Sequence, residues 1–327
     1  MLQVLLVTFP FFVLVLLGYL AARRGVLPQA AIPGLNTFVL YFALPCMLYR
    51  FGASTPIAQL LSASTFFVYL ACALTMVAFT VATTLGPRID WNNAAFGALV
   101  AAFPNTGFMG VPLLVALLGA QAAGPAIVTI VVDMLVTTSL CIALSRLDTA
   151  GKGVGSAGAR EALKNALKNA LVGVLSNPMP WSIVAGALSS YFAFVPFKPV
   201  MQTINLLADA ASPVALFTIG AVLARSQMTS KDATPLVDYV PVALKKLILH
   251  PLLVLLVGSS AISLGVPLDR FSLTVMVLVA ALPSASNVSL LAEKFGANNG
   301  RIARIILVST ALAFFTFSGA VHWMTGL

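Results

Sequence analysis

The sequence predicts an all-α integral membrane protein with ten transmembrane helices, arranged as two inverted repeats of five. Three observations support this prediction. Hydrophobic residues make up 60% of the 327 residues and charged residues only 8%, whereas a soluble domain carries about 25% charge. Apolar runs recur at the length of about 20 residues that a helix needs to cross a bilayer. The two halves of the chain also place prolines at matching positions. We therefore expect lipid to surround the folded chain.

Ten apolar runs follow one another along the chain, separated by polar or Gly/Pro-rich breaks. They fall near 2–22, 31–51, 58–85, 91–118, 122–146, 178–195, 199–224, 239–264, 270–292 and 301–324. The first run has no basic residue before it and no small-residue cleavage pattern, so we expect a retained helix rather than a signal peptide.

One long polar segment, 148–177, interrupts the series of apolar runs. Its leucines at 163, 167 and 171 recur every four residues beside two lysines, a pattern that predicts an amphipathic helix at the membrane interface. The segment divides the chain into a first five-helix repeat (1–147), a cytoplasmic linker (148–177) and a second five-helix repeat (178–327).

The basic residues are distributed unequally between the loops. Odd-numbered loops hold 15 Lys and Arg residues, with Lys245 and Lys246 counted as loop residues, and even-numbered loops hold 3. Because cytoplasmic loops retain Lys and Arg, this predicts that both termini lie on the periplasmic side of a bacterial inner membrane. The net charge of +9 then reflects cytoplasmic loops rather than a nucleic-acid partner. The cysteines lack metal-ligand spacing, so we predict no metal and no cofactor.

The two halves retain traces of a duplication. Residues 100–104 read VAAFP in span 4, and residues 279–283 read VAALP in span 9. Pro45 in span 2 and Pro213 in span 7 each have a glycine seven residues later. Five spans per half force the halves into opposite orientations, so the sequence predicts an inverted repeat.

Spans 4 and 9 are predicted to be broken in mid-membrane. Each has a proline, Pro104 or Pro283, 13 residues after its start, or about 20 Å along a helix. Proline removes a backbone donor, and the freed groups survive in a membrane only inside protein or beside a cavity. Ordinary proline kinks are the alternative, but the matched depth favours two broken helices.

Polar and small residues follow each break and can begin a second half-helix. Spans that enter from opposite faces would bring the two half-helix N-termini together, and converging N-termini attract anions. The predicted substrate-binding residues are Pro104, Asn105, Thr106, Gly107, Pro283, Ser284, Ser286 and Asn287.

Two acids and two asparagines inside the spans are further candidates for an ion-coupling site or path. Asp133, near the middle of span 5, is expected to bind a coupling proton or cation, to orient an Asn of the crossover, or to be a structural acid. Asp209 could line the substrate path or pair with Asn205 one turn earlier. Asn36 and Asn205 precede the prolines of spans 2 and 7 and could satisfy the backbone at those kinks.

The remaining ionisable residues are expected near the ends of the spans. His250 lies beside Lys245 and Lys246 near the predicted cytoplasmic end of span 8, which favours an interfacial position. We therefore expect no Lys or Arg deep in a span. The negative charge of a substrate would then be met by helix dipoles and amides.

Three motifs carry a resemblance to a known family: Leu35-Asn36 with Ala43-Leu-Pro45, 104–107 with Gly110-Val-Pro112, and Ala211-Ser-Pro213 with Gly220. They resemble the auxin efflux carrier family, in the superfamily that also contains the bile acid:sodium symporters. The resemblance implies a sodium/proton antiporter-like fold with crossed helices 4 and 9, and a homodimer. It also implies an elevator mechanism, with spans 1, 2, 6 and 7 as scaffold and spans 3–5 and 8–10 as transport unit.

The sequence therefore predicts a secondary transporter rather than an enzyme. Bacterial members of the family are assigned to malate, malonate and related acids, and the region from Leu17 is most similar to malonate carriers. The expected partners are a small organic anion and membrane lipids, with a proton or sodium as coupling ion. The alternative is a cation/proton antiporter or sodium-coupled symporter on the same fold. Such exchangers usually pair their core acid with a second acid or a Lys, whereas Asp133 is expected to stand alone.

Overall fold

A computed structural model describes residues 2–54, 62–147, 178–229 and 234–326, so the predicted linker 148–177 lies outside the described residues. The described chain is helical. Its helices are α1 (Leu2–Arg23), α2 (Gln29–Ser54), α3 (Ala63–Thr84), α4 (Trp91–Ala102), α5 (Thr106–Leu118), α6 (Ala120–Leu144), α7 (Pro178–Tyr191), α8 (Lys198–Thr229), α9 (Leu236–Ser263), α10 (Arg270–Ala281), α11 (Val288–Lys294) and α12 (Asn299–Thr325).

Seven of these helices, α1, α2, α3, α6, α8, α9 and α12, are long and apolar enough to cross a membrane. The prediction of a helical integral membrane protein is confirmed at this level. The remaining helices are shorter and occupy the predicted spans 4, 6 and 9. Span 4 is divided into α4 and α5, and span 9 into α10 and α11. The count of ten spans and their inversion stay predictions.

Both helices that precede a break begin at an aspartate cap. The carboxylate of Asp90 accepts a hydrogen bond from the Asn93 N–H at 2.8 Å, at the start of α4. At the start of α10, the carboxylate of Asp269 accepts from the N–H and the hydroxyl of Ser272, at 2.7 and 2.6 Å. Each cap satisfies a backbone donor that the first turn of a helix leaves free.

Replacing Asp269 with alanine is expected to reduce stability by about 1 kcal/mol. Burial raises the pKa of Asp269, but hydrogen bonds from Ser272 outweigh it, so the pKa lies below its ordinary value. A carboxyl with a lowered folded-state pKa adds stability that is present above its unfolded pKa, about 3.9, and is lost as the pH falls through the folded value. The melting-temperature difference between parent and variant should be present at pH 7 and shrink below about pH 4. A difference that stays constant would contradict this account.

Glycines allow α1 and α8 to touch through their backbones. A Cβ atom at Gly220 of α8 would lie 1.9 Å from the carbonyl oxygen of Val15. A Cβ atom at Gly18 of α1 would lie 1.8 Å from the carbonyl oxygen of Phe217. Real Cβ atoms do not approach that closely, so the contact requires glycine on both helices.

The same arrangement joins α2 and α7. A Cβ atom at Gly186 of α7 would lie 2.3 Å from the carbonyl oxygen of Tyr49, and one at Gly52 of α2 would lie 2.8 Å from that of Ile183. Small residues that bring helix backbones together are typical of helix pairs in membranes. The two pairs, α1 with α8 and α2 with α7, form closely packed units beside the broken helices.

Several helices contain a π-helical turn. In α2, α5 and α9 the turns cover Val39–Ala43, Thr106–Gly110 and Lys245–Leu249, and each ends two residues before a proline. Proline cannot supply an N–H and its ring crowds the carbonyl one turn earlier, so a widened turn relieves both problems. The turn in α6, Asp133–Thr137, has no proline after it. π-helical turns occur frequently at functional sites.

Candidate functional site: the helix crossover and a buried charged cluster

The two breaks lie against each other and pair through their backbones. The N–H of Asn105 donates to the carbonyl oxygen of Pro283 at 2.8 Å, and the N–H of Ala285 donates to that of Phe103 at 3.0 Å. The result is an isolated antiparallel bridge between two unwound segments. Each segment thus satisfies backbone groups of the other that could find no partner in lipid.

Neighbouring elements fix the crossover in place. The N–H of Ser284 donates to the hydroxyl of Ser309 on α12 at 3.2 Å. The carbonyl oxygen of Asn105 accepts from the N–H groups of Met109 and Gly110, in the π-helical first turn of α5. A Cβ atom at Gly110 would lie 2.4 Å from the Leu282 side chain, so the halves of spans 4 and 9 are in contact there.

Within the part of the chain that the structure describes, four polar side-chain atoms at the crossover are buried without a hydrogen-bond partner. They are Asn105 Oδ1, Thr106 Oγ1, Ser284 Oγ and Asn287 Oδ1. Nearly all buried polar groups in folded proteins are hydrogen-bonded, and an unsatisfied one costs about 1–3 kcal/mol. Their concentration at one place indicates a position where a polar ligand or water binds.

A small cavity adjoins the crossover, and one of these four residues, Asn287, lines it. Its lining combines the crossover with α2 and α8: Asn36, Phe108, Ala215, Thr218, Ile219, Val222, Ser286 and Asn287. There is also room at Gly107, where an added Cβ atom would meet no atom within 4 Å. The structure therefore brings the predicted residues of both breaks together and adds Asn36 from span 2. The half-helix α11 has only seven residues, so on that side the polar side chains matter more than a helix dipole.

A second polar group of residues, the charged cluster, lies between α3, α6, α9 and α10. We define it as Tyr69, Asp133, Lys246 and His250, all of which are 0% exposed. The Tyr69 hydroxyl donates to Asp133 Oδ2 at 3.1 Å, and the Thr137 hydroxyl donates to Asp133 Oδ1 at 3.1 Å. Asp133 therefore does not stand alone, which corrects the expectation from sequence.

Lys246 provides the positive charge of the cluster. Its Nζ donates to the carbonyl oxygen of Ala280 at 2.6 Å and lies 3.1 Å from His250 Nδ1. The charges of Lys246 and Asp133 interact electrostatically. Both residues lie in π-helical turns. The expectation that no Lys or Arg lies deep in a span is wrong for Lys246.

The position of His250 also differs from the prediction. It is fully buried, and its ring centroid lies 6.0 Å from that of Tyr69, so it is not interfacial. The helix α9 begins at Leu236, which places Lys246 about 15 Å from its first residue. Neighbouring Lys245 instead donates to the Thr83 hydroxyl at 2.5 Å and is only half-buried. The i, i+4 spacing of Lys246 and His250 was the signal in the sequence that could have placed both on one buried face.

The two remaining candidates lie elsewhere. Asp209 is exposed on α8 and forms an ion pair with Arg50 of α2 at 2.6 Å, rather than with Asn205. Asn205 is half-buried one turn earlier on α8 and is not among the residues that line the cavity. An exposed ion pair of this kind contributes at most about 1 kcal/mol.

Comparison with known proteins supports membrane transport. The chain matches the family described as "Membrane transport protein" over residues 4–321. It is 32% identical over 316 residues to a "Putative malonate transporter" of Rhizobium meliloti (strain 1021), covering 96% of this chain and 93% of that protein. It is 28% identical over 300 residues to the "Uncharacterized transporter YfdV" of Escherichia coli (strain K12), covering 88% and 86%. An "Auxin efflux carrier component 3a" of Oryza sativa subsp. japonica is 29% identical over 141 residues, which are 41% of this chain and 22% of that protein.

The family match extends over nearly the whole chain and agrees with the resemblance predicted from the motifs, which is confirmed. Together with the apolar helices, it shows that the chain belongs to the Membrane transport protein family, that of the auxin efflux carriers, and is a multi-pass membrane transporter.

Proposed function

We propose that this protein is a secondary transporter for small organic anions of the malate or malonate type in the bacterial inner membrane. The observation that carries the proposal is the buried polar crossover. Among the described residues, the hydroxyls of Thr106 and Ser284 have no partner and can donate to a carboxylate, and Asn287 lines the adjoining cavity. Amides, hydroxyls and the start of α5 can donate to a carboxylate without binding it too tightly to be released. The malonate transporter named among the relatives supports the substrate class. We propose transport rather than catalysis, with lipids and the anion as partners.

We further propose ten spans in two inverted repeats, moving as an elevator. In an inverted repeat, spans 1 and 6 correspond, as do spans 2 and 7. The pairs α1–α8 and α2–α7 would then be equivalent, and both use glycine contacts at 18, 220, 186 and 52. These four helices would be the scaffold, and the remaining helices the transport unit. The cavity is lined by residues of the scaffold helices α2 and α8 and by residues of the transport unit. An elevator mechanism requires this arrangement, because the transport unit moves the substrate site along the scaffold. A homodimer and periplasmic termini complete this proposal.

A cation/proton antiporter on the same fold is the second candidate. One observation favours it: Asp133 shares the charged cluster with Lys246, the acid-and-lysine combination expected of such exchangers. In either case we propose that Asp133 is the position at which a coupling proton or cation acts. Asp209 and Asn205 could contribute only at the edge of the path.

Uptake of labelled malonate, malate and an aromatic acid into proteoliposomes tests the proposal. We expect uptake of at least one of the two dicarboxylates under an imposed proton, sodium or voltage gradient, and none into protein-free liposomes. Failure of every organic anion together with robust sodium/proton exchange would replace the first candidate with the second.

Removing the crossover amides tests the position of the site. Asn105→Ala and Asn287→Ala each delete a side chain with an unpartnered buried oxygen, so neither substitution breaks an existing hydrogen bond of that oxygen. We expect each variant to reduce dicarboxylate uptake by about tenfold or more, because it removes the amide Nδ2, which can donate one or two hydrogen bonds to a charged ligand. Gln202→Ala, at an exposed amide of α8, is the control and should transport like the parent. If both crossover variants take up dicarboxylate as fast as the parent protein, the crossover is not the substrate-binding site.

A further inference from the structure

The charged cluster is a buried set of titratable groups, and anion binding at the crossover does not by itself require them. Its members come from three helices: Tyr69 from α3, Asp133 from α6, and Lys246 and His250 from α9. Contacts at 3.1 Å join the Tyr69 phenol to the Asp133 carboxylate and the Lys246 ammonium to the His250 imidazole. The centroids of the two rings lie 6.0 Å apart, with the ring planes tilted by 41°. Charged groups buried in membrane helices are expensive and usually functional.

The cluster is connected to the crossover. Lys246 donates to the carbonyl oxygen of Ala280, in the last turn of α10 and three residues before Pro283. That carbonyl is at the negative end of the helix dipole, where a cation is favoured. A change of charge in the cluster therefore acts directly on the helix end that leads into the substrate site.

The ligands around Asp133 suit a proton better than a metal cation. Its two oxygens already accept hydroxyl hydrogen bonds from Tyr69 and Thr137, whereas a hard cation needs about six oxygen ligands. Within the described ranges, no three His, Cys, Asp or Glu residues are grouped as a metal site would require. The ammonium of Lys246 already supplies a positive charge that acts on Asp133 and is fixed to the chain.

Charge balance links the cluster to an anion. With Lys246 and Asp133 ionised and the other two members neutral, the cluster has no net charge, and one added proton on the Asp133 carboxylate leaves it at +1. Among the described residues, the surroundings add no compensating negative charge. The thiol of Cys141 interacts with Asp133 and that of Cys72 with Tyr69, while Arg301 of α12 acts on Lys245. In a low-dielectric interior, a positive cluster and an anion at the crossover stabilise each other.

We propose that the charged cluster binds one transported proton, so that the protein moves its organic anion together with that proton. This inference rests on the proposed function and identifies the coupling ion. The proton adds to a carboxylate oxygen of Asp133 on the side where the anion enters and leaves that oxygen on the other side. His250 adds a second group that can hold a proton. Since an ammonium only donates, Nδ1 accepts from Lys246 and the ring proton sits on Nε2, which is buried and has no hydrogen-bond partner among the described residues.

The test follows protons and malonate together. The full chain is reconstituted in proteoliposomes containing a pH-sensitive dye, the membrane voltage is clamped with valinomycin and potassium, and an inward malonate gradient is imposed. We expect acidification of the interior in fixed proportion to labelled malonate uptake, and faster uptake when the outside is made more acidic. Malonate uptake without proton movement, or uptake driven by a sodium gradient at constant pH, overturns the inference but leaves the proposed function intact. If no organic anion is transported, the proposed function fails and the inference fails with it.

Variants assign the proton to the cluster. Asp133→Asn should lose proton movement and the effect of outside pH while retaining exchange of labelled for unlabelled malonate, which needs no net proton transfer. Glu293→Gln makes the corresponding change at an exposed carboxylate of α11 and should keep the parental ratio of protons to malonate. Unchanged proton movement in Asp133→Asn overturns the inference.

A milder variant covers the case in which Asp133→Asn does not fold. Tyr69→Phe removes only the hydroxyl that donates to Asp133. Loss of that hydrogen bond favours the protonated carboxyl, so the pH profile of malonate uptake should move upward by about half a unit or more. A profile that coincides with the parent's in this folded variant overturns the inference.

Discussion

Replacing Gly220 with alanine is expected to lower the melting temperature of the purified protein sharply, although alanine is ordinarily the better residue in a helix. The added Cβ atom would lie 1.9 Å from the carbonyl oxygen of Val15. That obstacle is backbone, so relief requires α1 and α8 to separate along their contact. Overpacking of this kind costs about 1–3 kcal/mol, and more when the backbone has to move.

A glycine in open space provides the control. In α12, a Cβ atom at Gly319 would meet no atom of the described residues within 4 Å, so Gly319→Ala should be neutral or stabilising by up to about 1 kcal/mol. The two identical substitutions should thus change stability in opposite directions. Similar melting temperatures for both variants would show that the α1–α8 contact is not as close as described.

Replacing Lys246 with methionine is expected to destabilise the protein by about 3–5 kcal/mol, because it leaves Asp133 as a buried charge without its counter-charge. It also removes the hydrogen bond to the carbonyl oxygen of Ala280. The double variant Asp133→Asn with Lys246→Met should recover part of this loss, since neither charge then remains. Thermal denaturation of the parent, both single variants and the double variant gives the coupling energy directly.

The adjacent lysine is the matched control for this second experiment. Lys245 is only half-buried and its ammonium contacts the Thr83 hydroxyl and the face of the Phe79 ring. Lys245→Met should therefore cost about 1 kcal/mol or less, in the range of exposed contacts. Equal losses in Lys245→Met and Lys246→Met would mean that burial of Lys246 has no energetic consequence.

Hydropathy and proline positions predicted most of the helical framework. The broken helices at Pro104 and Pro283 could be predicted because a proline inside a membrane helix frees backbone groups that must find partners within the protein. Polar residues directly after the proline favour a break in the helix over a simple kink. The seven long apolar helices coincide with predicted spans because an apolar run of about 20 residues is itself the signal of a membrane-spanning helix. These are properties of single segments and need no knowledge of their neighbours.

The charged cluster could not be predicted in this way. Lys245 and Lys246 are adjacent in sequence, but they point about 100° apart around a helix, and only packing against α6 and α10 decides which one is buried. A start of α9 at Leu236 instead of 239 also moved both lysines deeper into the helix. The pairing of Asp209 with Arg50 depends equally on which helices are neighbours. Contacts between distant segments leave little trace in a single sequence.

The antiparallel bridge at the crossover uses backbone atoms alone: two N–H donors, from Asn105 and Ala285, and two carbonyl oxygens, from Phe103 and Pro283. Side chains at 105, 106, 286 and 287 therefore project from a frame that does not depend on their chemistry. On the proposed function, exchanging these side chains would alter which acid is accepted while the frame remains. Engineering of a new substrate preference should therefore begin at these four positions.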